Sequence, residues 1–297
     1  MSQPPPLAQL SLCVAELRGS NLRGRNPEEI SATMGRLLDG YNVFNAMYTE
    51  EDVFCRGRKC RTPQGFSNLS ELIYPSPAGQ HYGRAHVPGA QVLYASANKR
   101  IVLDEIGAMA GDYVQVIGLR ARSGMSLPFA IVGEYQSVLN SGRPLFAGRG
   151  SVEAIQSLFQ TDPANVQAML YVDSFLAEVY RREAARPWEY MITALFAEQV
   201  NKTIGGVLYE SVQTVGGMNA AIPALLFDSS CEVLFTELLR VDRYYGFGVY
   251  DTTHLNWTNA FLSDGAIDWE GKTSFAFDWS MDGGINISPG TTGWRKR

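Results

Sequence analysis

The residues best suited to chemistry in this chain are Arg84, Tyr94 and Glu105, which follow one another inside the stretch YGRAHVPGAQVLYASANKRIVLDE, Tyr82 to Glu105. A cation, a phenol and a carboxylate brought to one corner would hold an anionic substrate and steady a positive charge developing on it. Arg84 is delivered on a bent loop, because Gly83 tolerates a close backbone approach and Pro88-Gly89 presets a tight turn. A second basic group, Arg56, Arg58, Lys59 and Arg61, suits a small anionic ligand, although solvated charge at a strand end is the more frequent explanation of such a run. The competing reading of the first stretch is an ordinary hairpin, with Glu105 on a helix face paired to Lys99 or Arg100. Ser211 ends a glycine-led strand, and with no His or Asp paired to it in sequence it is not read as a nucleophile. His81 and His86, and Cys55 and Cys60, lack the further ligands that a zinc site needs, so no metal is expected.

Each of these groups needs an element to aim it. Val53 to Arg58 reads as a strand on which Arg56 and Arg58 share a face, because side chains repeat every second residue. Gln91 to Ala95 reads as another strand, after which Ser96 to Asn98 caps a helix with Ile101, Val102, Glu105 and Ile106 at helical spacing. Asp112 to Leu119 alternates enough to lie beside them as a strand. Upstream, Asn26-Pro27-Glu28-Glu29 opens an amphipathic helix with Ile30, Met34, Leu37 and Leu38 on one face and Gly40 at its end. Residues 1 to about 25, rich in Pro, Gly and Arg, are expected to be partly ordered at best.

The remaining pattern is coarser. Residues 62–81 read as loop, and 122–150 as a Gly-, Ser- and Pro-rich excursion with a short helix or strand near Phe129 to Leu139. Asp162-Pro163 starts a helix through Val166, Met169, Leu170, Leu176, Val179 and Tyr180, and Trp188, Ile192, Leu195, Phe196 and Val200 mark a second. Ile204 to Val212 reads as a returning strand, followed by a Gly216-Gly217 turn and a short strand at Ala224 to Phe227. The tail from Cys231 is aromatic, with Tyr244, Tyr245, Phe247, Trp257, Trp269, Phe275, Phe277 and Trp279, and a hairpin turn is expected at Glu270-Gly271-Lys272.

Composition narrows the class. A chain of 297 residues with 45% apolar content can bury a sizeable core. A net charge of −5 argues against general nucleic-acid binding, which relies on a basic face to neutralise phosphates. No apolar run is long enough to span a membrane and the start, MSQPPPLAQL, lacks a secretory pattern, so a cytoplasmic protein is expected. The four scattered cysteines read as reduced thiols.

Taken in order, these motifs resemble a known family. Phe54-Cys55-Arg56-Gly57-Arg58 looks like an "FYRAR" strand, Gly83 to Gly89 like a "GRANPPG" loop, and Val92 to Ser96 with Leu103-Asp104-Glu105 like "VLYLA…ALAEV". Tyr190 to Ser211 resembles "Y…TQ.IAE…GIxYxSS", with Met218-Asn219 close to its "G.N" sequel. This is the pattern of the RES domain, named for Arg, Glu and Ser, and it covers residues 53 to 230. The resemblance implies a mixed α/β (α+β) fold, a small ADP-ribosyltransferase-like sheet core flanked by helices, and an activity that consumes NAD as substrate. It implies a toxin of a toxin–antitoxin pair that cleaves NAD by hydrolysis or phosphorolysis, with a small helix-turn-helix antitoxin and a homodimer as candidate partners. Carried over position by position, Arg56, Glu105 and Ser211 are the catalytic set, and Arg84, Tyr94, Arg58 and His86 bind the substrate. The chain departs from the pattern at His86, where the family has Asn, and in length. Residues 1–50 become an N-terminal extension, 51–230 the catalytic domain and 231–297 an aromatic extension packed on that domain. Two alternatives stay open: a protein ADP-ribosyltransferase using the same pocket, and an NAD-binding module without turnover, which His86 would favour.

Overall fold

Nine strands form one sheet in the computed structural model, which describes residues 5–18 and 24–271. They are β1 (Asn45–Tyr48), β2 (Phe54–Cys60), β3 (Val92–Ser96), β4 (Tyr113–Ala121), β5 (Leu127–Ile131), β6 (Gly206–Glu210), β7 (Met218–Pro223), β8 (Cys231–Gly246) and β9 (Val249–Thr258). Their spatial order is β1-β5-β6-β7-β3-β2-β4-β8-β9. Every neighbouring pair is antiparallel except β5 and β6. Parallel neighbours need a crossover, and four of the eight α-helices among the described residues lie in that connection. Among the described residues the helices are α1 (Leu7–Arg18), α2 (Pro27–Leu38), α3 (Lys99–Glu105), α4 (Glu134–Ser141), α5 (Arg149–Thr161), α6 (Pro163–Arg181), α7 (Met191–Thr203) and α8 (Ala224–Ser230). The fold is therefore mixed α/β, as expected, although the sheet is larger than a small core.

Helix starts follow the expected chemistry. Asn26 accepts a hydrogen bond from the Glu28 amide before Pro27 opens α2, and Asp162 accepts from Asn165 before Pro163 opens α6. Asn98 accepts from Ile101 at the head of α3. The apolar faces of α1, α2, α6 and α7 bury Leu10, Leu17, Met34, Leu37, Phe175, Tyr180 and Phe196 against Val92, Val207, Tyr209 and Ala221 of the sheet. Helix α3 covers a separate patch formed by Cys55, Val114, Val116, Leu239 and Val241. The opposite face of the sheet packs Phe54, Leu93, Phe129, Ile131 and Ile222 against Leu72 and Phe227. None of the helices among the described residues is long and apolar enough to cross a membrane.

Several expectations need correction. Residues 7–18 form α1, anchored by buried Leu10, Cys13, Val14 and Leu17, where partial order was expected. The excursion 122–150 holds both a strand and a helix, β5 and α4, and α5 begins at its end. Ala224 to Phe227 begins α8; the strand lies just before it, because β7 pairs with both β3 and β6 and reaches only to Pro223. Trp188 lies in a 3-10 turn, Pro187–Tyr190, ahead of α7 rather than in its core stripe. The tail forms β8 and β9, joined at Phe247 and Gly248, and they extend the same sheet beyond β4. Lys272 of the expected hairpin turn, and Phe275, Phe277 and Trp279, lie outside the described residues.

Candidate active site

The sheet lays out a single rung in which Tyr209 faces Asn219, Asn219 faces Ser96 and Ser96 faces Cys55, across β6, β7, β3 and β2. Directly opposed residues of antiparallel strands project to the same side, so these four side chains share one face with Tyr94, two residues before Ser96. An open cleft of about 240 Å³ lies there, at the seam between the two helical packs. Its walls include Arg84, Tyr94, Ser96, Glu105, Tyr209 and Asn219, and Arg56, which alternation turns to the other side of β2 from Cys55, borders it beside the Tyr94 carbonyl.

Both arginines are held by backbone carbonyls. Arg56 donates from Nε to the Leu72 carbonyl at 2.7 Å and from Nη1 to the Tyr94 carbonyl at 2.9 Å. Burial, and then the neighbouring Arg58 charge, push its pKa down to about 10, so it is still a cation at neutral pH. Arg84 donates to the carbonyls of Tyr180 and Arg182 at the end of α6, where unpaired C=O groups favour a cation, and its guanidinium lies 4.9 Å from the Tyr190 ring centroid. Among the described residues neither arginine has a carboxylate within salt-bridge distance. Their charge is thus positioned by neutral groups and left uncompensated.

The carboxylate of Glu105 is held differently. Its Oε1 accepts from Ser211 Oγ at 2.5 Å and from Asn219 Nδ2 at 2.7 Å, while Ser96 Oγ donates to Asn219 Oδ1 at 2.7 Å. The competing surface pairings do not form: Lys99 pairs with Glu237 and Arg100 donates to the Phe247 carbonyl. Helix α3 can sit this close because Gly57 lies beneath it; a Cβ there would fall 2.5 Å from Val102 Cγ1. Next to Glu105, Asp104 accepts from Thr214 and Tyr250, which ties the 211–217 loop and the β8–β9 hairpin to the same helix.

Tyr94 is fixed from behind. Its hydroxyl accepts from the Ala85 amide at 2.9 Å and bonds His86 Nδ1 at 2.7 Å. Burial pushes the phenol up, so it stays protonated, and burial pushes His86 down against the opposing effect of a hydrogen bond to the His81 backbone. A neutral His86 accepts the Tyr94 proton at Nδ1, which leaves a phenol lone pair for a ligand. Gly83 is required here too, since a Cβ at that position would run into the His86 ring.

The cleft therefore gathers Arg56, Arg84, Tyr94 and Glu105, with Ser211 behind Glu105 as its hydrogen-bond donor. Two expected ligand residues stand elsewhere. Arg58 does not line the cleft; it donates to the Glu71 carbonyl and lies 5.0 Å from the Phe66 ring centroid, although it does share with Arg56 the turn at 71–72. His86 acts on Tyr94 rather than lining the cleft. Asn219 and Tyr209 carried no assigned role in the sequence, and Ser96 was read only as part of a helix cap. The only signal for Asn219 was its place in the "G.N" sequel, and pairing of distant strands supplies the rest. No cluster that could hold a metal ion occurs among the described residues. Comparison with known proteins returned no matching family model, no matching curated protein and no matching solved structure.

Proposed function

We propose that this protein cleaves NAD at its nicotinamide–ribose bond and passes the ADP-ribose to water or phosphate, as the resemblance to RES-domain toxins implies. One observation carries the reading: Arg56, Arg84, Tyr94 and Glu105, from two separate stretches of sequence, line one cleft with both cations uncompensated and the carboxylate fixed. The pyrophosphate of NAD would meet the two guanidiniums, each charge-assisted contact contributing roughly 1.5–3 kcal/mol. When the C1′–N bond breaks, its electron pair returns to the pyridinium nitrogen, so nicotinamide departs as a neutral molecule and needs no acid. The sugar carries oxocarbenium-like charge at that moment, and a carboxylate held opposite it stabilises the transition state more than the ground state. Glu105 takes that role. The incoming oxygen bonds to C1′ and releases its proton to solvent. On this reading the protein is an ADP-ribosyltransferase-like toxin that arrests growth by draining cytoplasmic NAD, with a helix-turn-helix antitoxin as its cognate partner.

Transfer of ADP-ribose to a protein is the second reading. The fully exposed Val215 and Phe247, on loops tied to α3 beside the cleft, favour it by offering an apolar rim to an acceptor.

The test is nicotinamide release from NAD by purified protein, with and without phosphate. Wild type should release it, and Glu105→Gln should lower the rate by about a hundredfold to a thousandfold while keeping the fold. Arg84→Ala should chiefly weaken NAD binding, by about tenfold to a hundredfold. An unchanged rate in folded Glu105→Gln removes that residue from the mechanism, and release that occurs only when a protein acceptor becomes labelled selects the second reading.

A further inference from the structure

Two donors converge on one oxygen of Glu105, and both come from buried side chains: Ser211 and Asn219 reach Oε1, and neither reaches Oε2. A carboxylate oxygen accepts about two hydrogen bonds in its plane, so Oε1 is saturated. We infer that Asn219, aligned by Ser96, is a positioning residue that fixes Glu105 so that Oε2 alone faces the reacting sugar. The inference rests on the NAD-cleaving reading for its chemistry, and on geometry for the network.

The direction of each bond follows from chemistry. A carboxylate only accepts, so Asn219 must turn its amide nitrogen toward Glu105, and its Oδ1 then needs a donor of its own. Ser96 Oγ, one strand over and directly opposite in register, supplies it. Ser211 Oγ is itself pinned, accepting from the Gln213 and Thr214 amides at 3.1 and 2.8 Å, which leaves its single proton for Glu105. The carboxylate is thus clamped from β7 and from the loop that follows β6, and rotation that would exchange its oxygens breaks both bonds. This matters because a carboxylate that wobbles stabilises a short-lived cation poorly: its dipolar surroundings must be in place before the charge develops. Asn219 and Ser96 act through Glu105 and need not contact substrate, so their loss should appear in turnover rather than in substrate affinity.

The experiment compares Asn219→Ala, Asn219→Asp and Ser96→Ala with wild type by kcat and KM for NAD, thermal midpoint, and the Asn219 side-chain amide signal in ¹H–¹⁵N spectra. Asn219→Ala should lower kcat by about tenfold to a hundredfold with KM within about twofold. Ser96→Ala, one bond further away, should show a smaller fall with the same split. Asn219→Asp should be the least active at neutral pH, because the introduced carboxylate repels Glu105, and should recover as pH falls and that carboxyl gains a proton to donate. A wild-type kcat in folded Asn219→Ala, or a raised KM with unchanged kcat, overturns the proposal. If wild type releases no nicotinamide, the NAD reading has failed by itself. The amide signal then decides the positioning role: slow solvent exchange that is lost in Glu105→Ala and Ser96→Ala upholds it, and an unresponsive signal overturns it.

Discussion

Gly57 is the point at which α3 rests on the sheet, and its missing side chain has a measurable value. Val102 occupies the space above it, and Glu105 follows three positions later on the same side of the helix. Gly57→Ala should therefore push α3 outward, costing about 1–3 kcal/mol of stability and lowering turnover together. Adding Val102→Ala should restore part of both, since it vacates the space; urea denaturation and nicotinamide release read the two effects. Single residues were legible where a local pattern carried them. Arg84 sits in a glycine–proline turn, Glu105 at the end of a capped helix, and Tyr94 on a short apolar strand. Asn219 and Ser96 were not, because neither has chemical meaning until β7 pairs with β3. Arg58 stands outside the cleft for a related reason: sharing a face with Arg56 does not by itself bring both side chains to one cavity.

Helix α4 borrows its N-terminal cap from another helix. Its N-cap residue is Gly133, which has no side chain to cap with, and Asp173 of α6 fills the gap, accepting from the Gly133 and Gln136 amides at 2.9 Å each and from Tyr41 Oη at 3.0 Å. Burial dominates these bonds and raises the Asp173 pKa from 3.8 to about 6. The folded protein then holds that proton to higher pH than the unfolded chain does. Stability linked to Asp173 is accordingly full below about pH 4, declines as pH rises to about 6, and is level above it. Asp173→Asn should be less stable than wild type, and the gap between them should narrow across that window; denaturation midpoints at pH 4, 5, 6 and 7 measure it. At this scale α2 and α6 were legible from Asn-Pro and Asp-Pro starts. Helix α1 was hidden by flanking Pro, Gly and Arg, although Leu10, Cys13, Val14 and Leu17 already carry a helical stripe. The run at 224–227 misled because a short apolar segment fits either a strand or a buried helix turn.

In the whole molecule the tail is structural. Strand β8 pairs with the whole length of β4 and buries Phe235, Leu238, Leu239 and Val241, so residues 231–258 are part of the sheet that carries the candidate site rather than an appendage. A chain ending at Ser230 should leave β4 as a long apolar edge and accumulate as aggregate. Recovery of a soluble, NAD-cleaving fragment of residues 1–230 would refute that. The mixed α/β class could be read ahead of the structure from alternating strand and helix patterns; the strand order could not, because distant segments interleave.

That interleaving sets a timetable. Ser96 and Asn219 are neighbours on adjacent strands yet stand 123 positions apart in the chain, and Ser211 reaches Glu105 across 106. A chain emerging from the ribosome displays Arg56, Arg84, Tyr94 and Glu105 long before β7 exists to bring Asn219 to Glu105. Throughout that interval Glu105 lacks its Asn219 partner, and the cleft is complete only once synthesis has passed residue 219.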